Sequence, residues 1–248
     1  MKAVSYSFEE LDKEKWAILE NEAQNLSVLQ TYSWAKVLRS IGIEPRFFMI
    51  VEKGVPFLGL LTFKSRLISD FLCGYETRRA PLFVPGVNEG VFRFFAHALK
   101  DVLKKESALY FYWEPPLYVN LDRYAFGESF LAIPSATFVV DLNPSIETLW
   151  ANLEGRARRA VKKAERSEVN VMEAESWPEW EEYYNLYVNV CFQKNIRPRS
   201  LVLHKSIFNF LFSENTAKLF VAKHHGKMIG GIIYLVTPYE MVGYEGIF

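Results

Sequence analysis

VEKGVPFLGLL (residues 51–61) and VAKHHGKMIGGII (residues 221–233) follow one plan: an apolar run, a glycine at a turn, and a second glycine five residues later. Gly54 and Gly226 punctuate two β-hairpins, because a tight turn between extended runs needs a residue that tolerates positive φ. Helix-like segments precede each hairpin. The repetition predicts two copies of one α/β unit in tandem.

Working outward from the first hairpin, helices are expected near 8–24 and 33–41, and strands over Arg46–Val51 and Pro56–Phe63. A loop holding Gly74 and Pro81 follows. A helix near 89–105 carries Phe92, Phe95, Ala96, Leu99 and Val102 on one face, and a strand runs over Ala108–Trp113. After a loop around Tyr124–Ser135, the run Thr137–Asp141 reads as a strand, with Ser145 placed to cap a helix. The division between units is expected there, giving 1–136 and 137–248. The second unit continues with a helix over the basic run, a short strand Val169–Met172, helices near 177–193 and 200–213, and strands at 218–224, 228–236 and 239–247.

The chain has 248 residues, half of them apolar, and 29 Lys and Arg against 29 Asp and Glu. A neutral total excludes a global field that would draw the whole molecule to nucleic acid or an anionic membrane, so any anion site must be local. No run reaches the roughly 18 apolar residues of a membrane span, and MKAVSYSFEELDKEKW lacks the apolar stretch of a secretion signal. A cytoplasmic location is expected. Cys73 and Cys191 stand in no metal or disulfide spacing and are expected as buried apolar side chains. His97 and His204 are expected to be structural or solvated, and His224 and His225 to sit exposed in a turn, so no metal site is expected.

The local exception to neutrality is EGRARRAVKKAERSEVN (154–170), with Arg156, Arg158, Arg159, Lys162, Lys163 and Arg166 within eleven residues. At 3.6 residues per turn Leu153, Ala157, Ala160, Val161 and Ala164 form an apolar stripe, so the segment predicts an amphipathic helix with a basic face. Two readings stay open: a solvated face, and a site for a phosphate-bearing partner.

The order of several segments resembles the Fem family of peptidoglycan aminoacyltransferases, built from two tandem GNAT-like units. In the first half the resemblance rests on LQTYSWAK (29–36). In the second it rests on Thr137–Leu142, the Arg156–Arg166 helix, NIRPR (195–199), and the hairpin from Leu219 through Gly230 and Gly231. The implied fold is a mixed α/β acyltransferase in two GNAT-like units. The implied activity moves an amino acid from charged tRNA to the stem-peptide amine of a UDP-linked or lipid-linked muropeptide. It implies no cofactor. By similarity, Arg199 falls where the family places an arginine on the acceptor's diphosphate, Lys36 where a helix contributes a lysine to that site, and Tyr244 on a strand lining the cleft. Arg156, Arg158, Arg159, Lys162 and Lys163 become candidates for the tRNA acceptor stem, met through backbone phosphates.

The ester donor is already activated and the acceptor is an amine. The reaction therefore needs positioning, deprotonation of the ammonium and oxyanion donors rather than an enzyme nucleophile. No residue is singled out as the base, Asp141 and Glu245 being two acids at strand ends. The sequence departs from the pattern at its C-terminus, where a second GNAT-like unit is expected to continue and the chain stops at Gly246-Ile247-Phe248. An unpaired last strand is expected to favour self-association. The glycine-rich pyrophosphate loop of acyl-CoA users is not present. Two other functions stay open: a GNAT-type N-acyltransferase using acyl-CoA in polysaccharide or amine modification, and a non-catalytic binder of RNA or a sugar nucleotide.

Overall fold

A computed structural model describes residues 7–10, 12–69, 72–117 and 136–247. Two separate sheets organise them. The first has strands β1 (Ser7–Glu10), β2 (Pro45–Glu52), β3 (Val55–Ser69), β4 (Leu72–Arg78), β5 (Leu82–Phe83) and β6 (Tyr110–Glu114). Its order is β1-β2-β3-β4-β6, with β5 paired to β3; the pairs are antiparallel except β4 with β6. A parallel pair needs a crossover, and helix α3 (Glu89–Lys105) supplies it.

Strand β2 is apolar on both sides because both are covered. Phe48 and Ile50 face α3, packing with Val91, Phe92, Phe95 and Leu99. Phe47, Met49 and Val51 face the other way, toward helix α1 (Lys13–Glu22), whose Trp16 ring meets Phe47 edge-on at 4.7 Å. Helix α2 (Tyr32–Ser40) packs on this second side and is capped by Thr31, whose hydroxyl accepts the Trp34 N–H at 3.1 Å. A short 3-10 turn, Val28–Gln30, leads into it.

The second sheet contains β7 (Val169–Glu173), β8 (Ala217–His224), β9 (Lys227–Val236) and β10 (Met241–Ile247), in the antiparallel order β10-β9-β8-β7. Helix α6 (Trp177–Gln193) buries Trp180, Tyr183, Tyr187 and Cys191 against it. Helix α7 (Leu201–Ser206) runs into a π-helical turn, Ile207–Phe212. The two halves meet where α2 lies on α7. Ser40 Oγ donates to Ser206 Oγ at 2.6 Å, Lys36 Nζ is 3.5 Å from Glu214 Oε1, and the Thr237 hydroxyl donates to Leu26 O at 2.9 Å. One apolar core runs through both halves, from Trp16 and Trp34 to Trp180 and Ile247.

The two hairpins correspond in detail. Each turn places a non-glycine residue and then a glycine at positive φ: Lys53 (49°) and Gly54 (85°), His225 (49°) and Gly226 (78°). Positive φ at both turn residues is the signature of the type I′ hairpin. Each hairpin carries a register shift just before its turn, at Ile50/Val51 and Ala222/Lys223. The second glycine also plays the same part in both. A Cβ on Gly59 would run into Trp16 and Leu19 of α1, and one on Gly231 would stand 2.9 Å from the Tyr183 ring of α6. In each unit a glycine lets a helix lie close on the hairpin.

Several expected elements differ. The segment expected as helix from 8 begins with β1, and only from Lys13 does it turn helical. Gly74 lies in β4 rather than a loop; the Tyr110 ring of β6 covers it where a Cβ would stand. Thr137–Asp141 forms no strand: it has no ladder partner among the described residues, and Phe138, Val139, Val140 and Leu142 are exposed. Helices α4 (Ile146–Asn152) and α5 (Gly155–Arg166) bury no residue, so the stripe of Leu153, Ala160 and Val161 is open. The expected loop at Tyr124–Ser135 lies outside the described residues.

Gln30 is fully buried and spends its whole side chain on the first sheet. Nε2 donates to Arg78 O (2.8 Å), Leu61 O (3.1 Å) and Thr77 Oγ1 (3.2 Å), and Oε1 accepts the Leu61 N–H (2.8 Å). Gln30→Leu keeps the volume but removes the partner of the Leu61 N–H and of Arg78 O, Leu61 O keeping the Thr77 hydroxyl. It is expected to cost about 2–4 kcal/mol, read as a lower urea midpoint at unchanged m-value.

Candidate active site

Arg199 sits in the loop between α6 and α7, and α6 fixes it by two phenols. Tyr187 Oη accepts the Arg199 N–H at 3.0 Å, and Tyr184 Oη donates to Arg199 O at 3.3 Å. Its guanidinium lies over the Tyr244 ring, 4.5 Å from the centroid, with Nη1 3.8 Å from Glu245 Oε2. The side chain is 46% exposed, whereas that of Glu245 is 7% exposed.

Neighbouring residues of a regular strand point to opposite faces, yet Tyr244 and Glu245 both meet Arg199. The β10 ladder explains this. Gly243 pairs with Tyr234 and Glu245 with Ile233, leaving Tyr244 as the extra residue of a bulge that re-aims the strand. Trp34 of α2 closes on Tyr244 from the first half, ring centroids 5.7 Å apart.

Behind Arg199, Glu245 is tied to His204, which is 1% exposed. His204 Nε2 lies 2.7 Å from Glu245 Oε1, and Nδ1 lies 3.0 Å from Ser200 O. Both ring nitrogens of His204 therefore meet oxygens, Ser200 O on one side and the Glu245 carboxylate on the other. The Tyr183 hydroxyl donates to Glu245 O at 3.3 Å. Glu245 Oε2 is buried and has no hydrogen bond, Arg199 being its neighbouring charge. The carboxylate thus anchors a guanidinium whose far side is open to solvent. This suits an anion with several oxygens, since the planar fork offers parallel donors.

Lys36 does not join this group. It lies two residues beyond Trp34, about 200° around the helix. Its Nζ faces Ser33 Oγ (3.4 Å), Glu214 Oε1 (3.5 Å) and the rings of Tyr32 and Phe210. On α5, Arg158 is structural. Its Nη1 donates to Ala151 O and Leu153 O, both at 2.6 Å, and lies 3.4 Å from Trp150 O, capping α4. Arg156, Arg159, Lys162 and Lys163 are exposed and have no ion-pair partner among the described residues. His204, expected as structural or solvated, is a buried member of the site. Glu245 holds its place through a bulge that no local pattern announces.

Among the described residues no group of three His, Cys, Asp or Glu is placed to hold a metal, and no helix is long and apolar enough to cross a membrane. Cys73 and Cys191 are free and buried.

No family model and no curated protein matches the chain. Its fold is similar to that of the crystal structure of FemX, at TM-score 0.65 and 16% identity, over 87% of this chain and 58% of that one. The chain therefore spans less than two thirds of FemX. A conserved protein of unknown function from Bacteroides thetaiotaomicron is similar at TM-score 0.47 and 12% identity, over 93% of this chain and 75% of that one. A ribosomal-protein-alanine N-acetyltransferase from Brucella melitensis biovar Abortus is similar at TM-score 0.41 and 10% identity, over 55% of this chain and 99% of that one. The expected mixed α/β fold class is the observed one.

Burial raises the hydroxyls of Tyr183 and Tyr244 above the ordinary phenol range and pushes Tyr187 up to about 12. Burial raises Tyr75 as well, helped by its hydrogen bond to Glu106. A raised folded-state value means stability that is full below about pH 10 and is lost as pH climbs through the folded value. An alkaline titration of phenolate absorbance is therefore expected to show a late group of tyrosines that ionise together with unfolding. Tyr187→Phe should reduce that late amplitude.

Proposed function

We propose that the chain is an aminoacyltransferase of the Fem type, or a portion of one, acting on a peptidoglycan precursor. The observation that carries this reading is Arg199, held by Tyr187, Tyr184, Tyr244 and Glu245 with half of its side chain in solvent, in a fold similar to FemX. In this reading Arg199 grips the diphosphate of a UDP-linked or lipid-linked muropeptide, with Tyr244 as the platform beneath it. Glu245 and His204 act through Arg199 as positioning residues. Lys36, on the far side of α2, serves as an outlying cation for the same acceptor. The reaction is attack of the stem-peptide amine on the aminoacyl ester of charged tRNA, with loss of the ribose hydroxyl and a proton from the ammonium. No cofactor enters it. Such a reaction belongs in the cytoplasm, where both substrates are made, and the two units divide at 136/137.

The tRNA acceptor stem is assigned to α5 through Arg156, Arg159, Lys162 and Lys163, with Arg158 kept to its cap on α4. Removing one phosphate-binding cation should flatten the dependence of log K on log salt by about 0.7–0.9. Paired alanine substitutions at Lys162 and Lys163 are expected to reduce the slope by about 1.5 in anisotropy titrations with charged tRNA, and an unchanged slope rejects this assignment.

Thermal stabilisation by a UDP-linked muropeptide tests the acceptor site, because a ligand of the folded state alone raises the melting temperature. Arg199→Ala is expected to weaken that binding roughly 10- to 100-fold, the loss of a charge-assisted hydrogen bond worth about 1.5–3 kcal/mol. Stabilisation by acetyl-CoA alone, or unchanged muropeptide binding in Arg199→Ala, overturns the reading.

A further inference from the structure

A concave site that does not include Arg199 lies where the β9–β10 turn docks on the first half. Its volume is about 290 Å³. The first half contributes Leu26, Phe83, Pro116 and Leu117 as an apolar wall and Arg79 as a cation; the second contributes Glu240, with Tyr239 at the rim. Thr237 holds the turn rigidly. Its hydroxyl donates to Leu26 O (2.9 Å) and accepts the N–H groups of Tyr239 (3.2 Å) and Glu240 (3.1 Å), and its own N–H donates to Glu240 O (2.9 Å).

Two features distinguish this pocket from a packing defect. Glu240 Oε1 is buried and has no hydrogen-bond partner, a state that costs free energy and that native proteins seldom leave uncompensated. Arg79 meets Glu114 Oε1 through Nε at 3.3 Å, and among the described residues neither of its Nη groups has a hydrogen bond. Its side chain is only 14% exposed. A rigid cavity thus offers an acceptor without a donor, donors without an acceptor, and an apolar wall. Its volume is at the small end of ligand sites, suited to a molecule of a few to about ten heavy atoms.

We propose that this pocket binds a small zwitterionic amino acid or dipeptide, its ammonium on Glu240, its carboxylate on Arg79 and its side chain against Leu26, Phe83, Pro116 and Leu117. An ammonium is a compact cation with three donors and so complements an acceptor-only oxygen, while a guanidinium complements a carboxylate. Because both halves line the cavity, the ligand bridges them and stabilises their docking. The proposal does not rest on the acyl-transfer reading, since none of these residues belongs to the Arg199 group.

Thermal shift and calorimetry with L-alanine, L-lysine and D-alanyl-D-alanine test it, with acetate and propylamine as single-charge controls. At least one zwitterion is expected to raise the melting temperature in proportion to the logarithm of its concentration, and neither control should match it. Glu240→Gln keeps the shape, and it is expected to weaken that ligand at least tenfold while raising the melting temperature of the free protein. Leu117→Trp, which fills the cavity from the other half, should also abolish binding, whereas Arg199→Ala should leave it within about twofold. No shift with any zwitterion up to about 10 mM, or a shift that survives both Glu240→Gln and Leu117→Trp, overturns the proposal.

Discussion

The carboxamide of Gln30 is the constraint on which the arrangement of both halves depends. A buried amide must find partners for its oxygen and its nitrogen, and Gln30 finds them on β3 and β4 at once. That fixes the end of the 3-10 turn, and Thr31, the next residue, caps α2. The rest follows from helix geometry. Trp34 projects onto Tyr244, Lys36 points about 200° away toward Glu214, and Ser40 reaches Ser206 at the far end. The second sheet is thus positioned through α2 by a side chain that touches only the first.

The hairpins show what local sequence can carry. The turn glycines were legible because positive φ is a property of the residue itself, and the spacing to Gly59 and Gly231 was legible as a repeat. The reason for that spacing was not, since it depends on Trp16 and Tyr183 arriving from helices elsewhere in the chain. Gly74 shows the converse. Its isolated sequence suggests a break, but the crossover through α3 lays the Tyr110 ring across it and makes it a strand residue. Thr137–Leu142 has as good a strand composition as β9, yet pairing is a property of two segments, and composition reports on one.

The site divides in the same way. Arg199 and Tyr244 were legible by resemblance and come together, whereas Lys36 has partners of its own. Glu245 and His204 were not legible as a pair: 41 residues separate them, and a bulge decides which way Glu245 points. That bulge also resolves an electrostatic difficulty. A carboxylate 7% exposed needs compensation, and it has the His204 ring against one oxygen and a guanidinium near the other. Stacking on Tyr244 holds the guanidinium over the ring, so the open donors of Arg199 face outward.

Charge placement separates the surface into two kinds. Around the sheets, cations are matched to acids of neighbouring elements: Lys218 with Glu173 at 2.9 Å, Lys223 with Glu179 at 3.2 Å, Arg46 with Glu106 at 3.0 Å and Lys15 with Glu9 at 2.6 Å. Each such pair is worth little, about 0–1 kcal/mol, so its energy does not explain the matching; proximity in a neutral protein produces it readily. The contrast with α5 carries more weight. Arg156, Arg159, Lys162 and Lys163 crowd within two turns, and like charges at helical spacing repel by a few tenths of a kcal/mol per pair, roughly 0.2–0.5. The helix accepts that cost with no residue of its apolar stripe fully buried, Ala157 and Ala164 being half-buried. Within the described residues α5 thus keeps its basic side chains without an acidic partner and buries no side chain fully.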